Sequence, residues 1–119
     1  SNGFIASPYR GVQVHAARCL VTNVQVKDAG DAGFATATVG SVDNASDTLF
    51  TNCIARWVTL SGAKRGFRLG VTAPSGSRVA VRGCTVLNAQ IGVYVAAGMS
   101  NEYITDCALS TCTTGIVQG

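Results

Sequence analysis

A glycine that opens a short alternating strand recurs five times in this chain of 119 residues. The copies are Gly11-Val12-Gln13-Val14, Gly33-Phe34-Ala35-Thr36, Gly66-Phe67-Arg68-Leu69, Gly92-Val93-Tyr94-Val95 and Gly115-Ile116-Val117-Gln118. Between each successive pair of glycines stands a cysteine, at Cys19, Cys53, Cys84 and Cys107. The glycines are 22, 33, 26 and 23 residues apart (11 to 33, 66, 92 and 115), a short period stretched by insertions, as in a solenoid whose coils carry loops. An antiparallel sandwich would account for turns every 8 to 12 residues or so, but not for two landmarks that return in a fixed order. Parallel stacking does account for it, because each residue type then lies above its counterpart one coil below.

The local pattern says how a coil is built. After each glycine the period is two, so Val12 and Val14, Phe67 and Leu69, and Val93 and Val95 face one side and the residue between them faces the other. Segments such as Ser77-Arg78-Val79-Ala80-Val81-Arg82 are rich in β-branched residues, and 14 glycines punctuate the chain, so no amphipathic helix is expected. Three residues before the cysteines stand Ala16, Phe50, Val81 and Ile104, and two after them Val21, Ala55, Val86 and Leu109, all apolar. Immediately before the cysteines come Arg18, Asn52, Gly83 and Asp106; Gly, Asn and Asp tolerate the left-handed backbone of a tight bend. The expected unit is a strand, a corner and a second strand, with all four cysteines stacked inward. About five such rungs at about 4.8 Å each make a cylinder roughly 24 Å tall.

Hydrophobic residues make up 47% of the chain, sufficient for one continuous core, and residues 1–119 read as a single β-helical segment of a longer protein. Charged residues are only 13%, about half of the usual share of roughly 25%, which suggests that part of the surface is covered by another chain. The nine Lys and Arg are scattered, without the basic run or aromatic signature of a nucleic-acid binder. No apolar run approaches the roughly 18 residues of a membrane span, so neither nucleic acid nor membrane insertion is expected. The five cysteines have no zinc-knuckle spacing, and no metal or other cofactor is expected. They read as small apolar core residues and free thiols, in a chain made in a reducing cytoplasm.

Units such as Tyr103-Ile104-Thr105-Asp106-Cys107-Ala108-Leu109 followed by Thr114-Gly115-Ile116 resemble those of the right-handed parallel β-helix family, which includes pectate-lyase-like enzymes and bacteriophage tailspikes. The resemblance covers nearly all of residues 3–119 and implies an all-β, single-stranded parallel β-helix. It further implies polysaccharide as partner, whether capsule, lipopolysaccharide or a similar glycan. The sparse charge and outward apolar residues (Leu20, Ile54, Val117) are more similar to a homotrimeric tailspike, placed on a virion tail or an extracellular surface, than to a secreted monomer. Three functions stay open on this resemblance: a glycan-recognising segment of a host-attachment or depolymerase protein, a structural or adhesive fibre shaft, and a secreted lyase or epimerase.

The outward row of the glycine strands is Gln13, Ala35, Arg68, Tyr94 and Val117, with His15 two places beyond Gln13. Gln13, His15, Arg68 and Tyr94 are the candidate sugar contacts: a tyrosine ring offers a platform for a pyranose face, an arginine pairs with an acidic sugar, and the amide serves hydroxyls. No catalytic residue can be assigned. A glycosidase needs two carboxyls flanking the bond, whereas none of Asp28, Asp31, Asp43, Asp47, Glu102 and Asp106 falls in that row, and most of them read as turn, bend or insertion residues. Trp57 is expected to pack under the neighbouring loop.

Overall fold

The computed structural model describes residues 3–6, 9–14, 18–36, 47–59, 64–70, 78–96, 102–110 and 112–118, with only the backbone of residues 4–6. These residues form a parallel β-solenoid without helix. Its strands, in chain order, are β1 (Gly3–Ala6), β2 (Arg10–Val14), β3 (Leu20–Thr22), β4 (Val24–Lys27), β5 (Ala32–Thr36), β6 (Leu49–Thr51), β7 (Ile54–Arg56), β8 (Arg65–Leu69), β9 (Ala80–Arg82), β10 (Thr85–Leu87), β11 (Ile91–Val95), β12 (Tyr103–Thr105), β13 (Ala108–Ser110) and β14 (Thr114–Gln118). Every third strand returns to the same sheet. The first sheet runs β1-β4-β7-β10-β13, the second β2-β5-β8-β11-β14 and the third β3-β6-β9-β12. The expectation of about five rungs is therefore slightly high: among the described residues four circuits are complete, and a fifth has strands in two sheets only.

The glycine ladder holds in register. Val12 pairs with Phe34, Phe34 with Phe67, Phe67 with Val93 and Val93 with Ile116, each one residue after a landmark glycine. Gly11, Gly33, Gly66 and Gly92 are required by close approach. A Cβ on Gly92 would lie 2.6 Å from the carbonyl oxygen of Gly115 and 2.9 Å from a Leu109 methyl, and a Cβ on Gly33 would lie 2.6 Å from that of Ala55. Inside the coil Phe34 and Phe67 stack with centroids 4.8 Å apart and planes 14° from parallel, while Phe50 meets both edge-on at 5.9 and 5.5 Å. All three rings are fully buried, joined by Val79, Val81, Val86, Val93 and Leu69.

The cysteine ladder is shorter than the sequence suggests. Leu20 pairs with Leu49 and Val21 with Phe50, so Cys19 lies in register with Thr48, not with Cys53. The residue that occupies the cysteine position one coil below Cys53, in the second circuit, is Val24, preceded by Asn23 as Cys53 is by Asn52, Cys84 by Gly83 and Cys107 by Asp106. All four of these preceding residues have positive φ, between 52° and 60°. The misreading has a physical source: Arg18 also has positive φ (56°), but it belongs to a second corner with Asp47 and Arg78, at the entry to the third sheet. Val21, accordingly, takes the place expected for Ala16, and Val26 the place expected for Val21. Within the stack each thiol donates to two carbonyls, one on its own coil and one a coil below: Cys53 Sγ to Thr51 and Val21 (3.4 Å each), Cys84 Sγ to Arg82 (3.4 Å) and Phe50 (3.6 Å), Cys107 Sγ to Thr105 (3.4 Å) and Val81 (3.5 Å). The described cysteines are free thiols.

Trp57 is buried, 6% exposed, with its indole N–H donating to the Ala29 carbonyl at 2.7 Å, while residues 61–63 of the loop expected to cover it lie outside the described residues. The connections differ by corner. From the third sheet to the first the chain passes through one or two residues, such as Asn23 or Asn52-Cys53, whereas residues 37–48, 70–79 and 96–102 link the second sheet to the third.

Candidate functional site

The outer face of the second sheet is where the charged side chains converge. Gln13, Ala35, Arg68, Tyr94 and Val117 lie in consecutive register along it, as the alternation requires. A second outward row runs beside it, one residue before each landmark glycine: Arg10, Ala32, Arg65, Ile91 and Thr114. Because each glycine itself turns toward the core, as the contacts of its notional Cβ show, the residues flanking the inward pair both face out. The second coil of the five, through β5, contributes only alanines to these rows. Ala32 and Ala35 are fully buried, short side chains that leave room for arginines from the coils on either side.

Those arginines meet at Asp31, the residue that enters β5. Arg10 Nε donates to its Oδ2 at 2.8 Å, Arg68 Nη1 lies 3.0 Å from Oδ2 and 3.3 Å from Oδ1, and Arg65 Nη1 lies 3.3 Å from Oδ1. The backbone fixes the same residue, since Asp31 N–H donates to the Tyr9 carbonyl (2.8 Å) and its own carbonyl accepts from Arg65 N–H (3.0 Å). Asp31 is 6% exposed. Burial by itself would raise its pKa, but the Arg10 hydrogen bond and the charge and hydrogen bond of Arg68 outweigh it, and the carboxyl is held below its ordinary value. The side chains of Arg10, Arg65 and Arg68 remain 21 to 25% exposed at the rim.

The remaining polar groups extend the cluster along the sheet. Arg10 Nη1 donates to Gln13 Oε1 at 3.2 Å. The Arg65 guanidinium lies over the Tyr94 ring, 5.2 Å from its centroid, and that of Arg10 over Tyr9 at 4.8 Å. One face of Tyr94 is thus occupied by a cation, a favourable packing against the ring quadrupole. Of the residues expected from the sequence to contact sugar, Gln13, Arg68 and Tyr94 are brought together; His15 lies outside the described residues. Arg10, Arg65 and Asp31 were missed. The signal for the two arginines was the position before the landmark glycine, and Asp31 reads as a turn residue until the register places it between them.

The other carboxyls serve elsewhere. Asp47 pairs with Arg78 (2.6 Å), Asp28 accepts from Val58 N–H (3.0 Å), and Asp106 sits on its bend beside Thr105 Oγ1 (3.2 Å). Glu102 lies in register with Val79 and Thr48, one residue before its strand; its Oε2 is buried without a partner, and burial raises its pKa. Asp43 is outside the described residues. Asp31, whose two oxygens accept four contacts and whose pKa is lowered, is unsuited to take up a proton as a general base. Among the described residues no group of three His, Cys, Asp or Glu is arranged to hold a metal ion. No family model, curated protein or solved structure matches the chain.

Proposed function

We propose that the outer face of the second sheet binds a polysaccharide, as part of a tailspike-like host-attachment protein. The observation that carries this reading is the in-register row of Gln13, Arg68 and Tyr94 on a continuous parallel sheet. Adjacent coils repeat at about 4.8 Å, so this row presents an aromatic ring, a guanidinium and an amide along a line on which successive sugar units can lie. The Tyr94 ring supplies the platform and the arginine and glutamine the polar contacts. Depolymerase chemistry, in this reading, requires carboxyls from beyond the described residues or from a neighbouring subunit.

A homotrimer on a virion tail or extracellular surface is part of the same proposal. It is supported by a row on the third sheet, Leu20, Leu49, Ala80 and Tyr103, in consecutive register, with Leu20 and Tyr103 59% and 64% exposed. Apolar rows of this kind commonly mark contacts between chains. The test of the sugar face is a glycan array followed by titration calorimetry with the wild type and Tyr94→Ala. Binding that falls about fivefold or more on loss of the ring supports the reading; a chain that binds no glycan, or binds one equally without the ring, refutes it.

A further inference from the structure

The geometry points to Arg10, Arg65 and Arg68 as a socket for the anionic group of an acidic sugar, a carboxylate or sulfate, with Asp31 as the internal anion that holds the socket open. This inference rests on the reading of the second sheet as a glycan-binding face and names the class of glycan. It starts from a count of donors and acceptors. Three guanidiniums carry five N–H donors each, whereas one carboxylate offers about four lone-pair directions. All four are used: Oδ2 faces Arg10 Nε and Arg68 Nη1, and Oδ1 faces Arg65 Nη1 and Arg68 Nη1. Asp31 can accept nothing more, and the Gln13 amide oxygen takes up Arg10 Nη1.

The donors left over are what the socket offers. Arg65 Nε and Arg68 Nε are buried and without a hydrogen-bond partner. Buried guanidinium N–H groups without acceptors are costly, so one carboxylate leaves the three guanidiniums under-satisfied, and the 21 to 25% of their side chains still exposed at the rim is the part an oxyanion can reach. Charge points the same way: three cations around one carboxylate leave an excess of two positive charges on a patch partly open to solvent. A neutral glycan has nothing that repays this excess. A planar carboxylate or a sulfate matches the guanidinium fork, and Tyr94, held by Arg65, is positioned to pack against the ring that carries it.

Asp31 then has a second role besides support. It competes with the ligand for the same guanidiniums, so its removal should strengthen anion binding while weakening the fold. Calorimetry at low salt with tri-galacturonate, a sulfated dextran trisaccharide and neutral maltotriose tests this. For the wild type, binding of one or both charged probes at least tenfold tighter than maltotriose is expected. Arg68→Gln should reduce that binding at least tenfold, and Asp31→Asn should tighten it severalfold. If Asp31→Asn does not fold, Arg65→Gln replaces it, with the same tenfold loss expected.

Charged probes that bind equally to wild type and Arg68→Gln overturn the socket. A neutral glycan that binds through Tyr94 and ignores both arginine substitutions overturns the socket but leaves the glycan face standing. Arg68-dependent binding of free galacturonate or inorganic sulfate, with no gain for the trisaccharides, leaves the socket and overturns the glycan face. Preference for the carboxylated or the sulfated probe identifies which oxyanion fits.

Discussion

Replacing a single ladder glycine by alanine measures how tightly the coils of this solenoid are stacked, and Gly92 is the position at which to do it. A methyl on Gly92 would sit 2.6 Å from the Gly115 carbonyl oxygen and 2.9 and 3.0 Å from the two Leu109 methyls. The oxygen belongs to the backbone of the next strand and cannot rotate away. Relieving the contact to an ordinary separation of a little over 3 Å requires β11 and β14 to part locally by about half an ångström, at the expense of the ladder bonds between them. Overpacking of this kind costs about 1–3 kcal/mol, and the upper half of the range applies because both the oxygen and Leu109 must move.

Gly115→Ala is the internal control: its methyl would meet only one Leu109 methyl, at 3.6 Å, an ordinary contact. That substitution should be neutral or stabilising by a few tenths of a kcal/mol, through reduced freedom of the unfolded chain. Urea denaturation followed by circular dichroism reads the difference. With a slope of about 2 kcal/mol/M, a loss of about 2–3 kcal/mol lowers the midpoint of Gly92→Ala by about 1–1.5 M relative to Gly115→Ala. Midpoints that agree within about 0.2 M would refute the argument that the next coil's carbonyl dictates glycine in this ladder.

Other outcomes follow from the core and the carboxyls. Cys84→Val should cost less than about 1.5 kcal/mol, since Val24 already fills the same position in the second circuit and the volumes are close; a loss of cooperative unfolding would contradict it. In native protein Cys53 and Cys84, 0% and 1% exposed, should resist iodoacetamide at pH 8, while the half-buried Cys19, Cys107 and Cys112 react first; mass spectrometry locates the labels. The hydrogen-bonding contacts of Cys84 with Cys107 and Cys53, and its burial, raise its thiol pKa and add to that protection. Val86→Asp, at a fully buried site, should abolish folding, because an unpaired carboxylate there costs several kcal/mol.

Glu102 gives a pH-dependent test. Its folded-state pKa is raised above 4.5 by burial, so the folded chain holds the proton more tightly, and stability from this group is full at low pH and falls as pH rises through the folded-state value. Glu102→Gln should stabilise the protein at pH 7 and remove this part of the pH profile, as read from urea midpoints between pH 4 and 7. The lowered pKa of Asp31 acts in the opposite sense, with stability present at neutral pH and lost as pH falls below about 4.

Much of the architecture was legible because a parallel stack repeats its contacts. Gly11, Gly33, Gly66 and Gly92 each face the carbonyl oxygen of the next landmark glycine, and inward pairs such as Phe67 and Leu69 follow from period two. The error at Cys19 shows the limit of reading by residue identity. A corner requires left-handed backbone and a small inward residue, and Asn23-Val24 satisfies it as well as Arg18-Cys19 resembles it; only the pairing of Leu20 with Leu49 decides. The site was half legible for a similar reason. Alternation puts Gln13, Arg68 and Tyr94 on one face, but Asp31 lies outside any strand, and its meeting with Arg10 and Arg65 depends on how the insertions between coils are absorbed.

The unequal corners also determine where this molecule can change. Between the third sheet and the first, one or two residues must turn the chain and place an inward side chain, so an added residue would displace every contact above it. Between the second sheet and the third, the connections 37–48, 70–79 and 96–102 already differ in length, and lengthening a loop that is already long adds little entropic cost. That corner adjoins the arginine-bearing face. New specificities could therefore be grafted there, one coil at a time, while the ladders beneath keep their register.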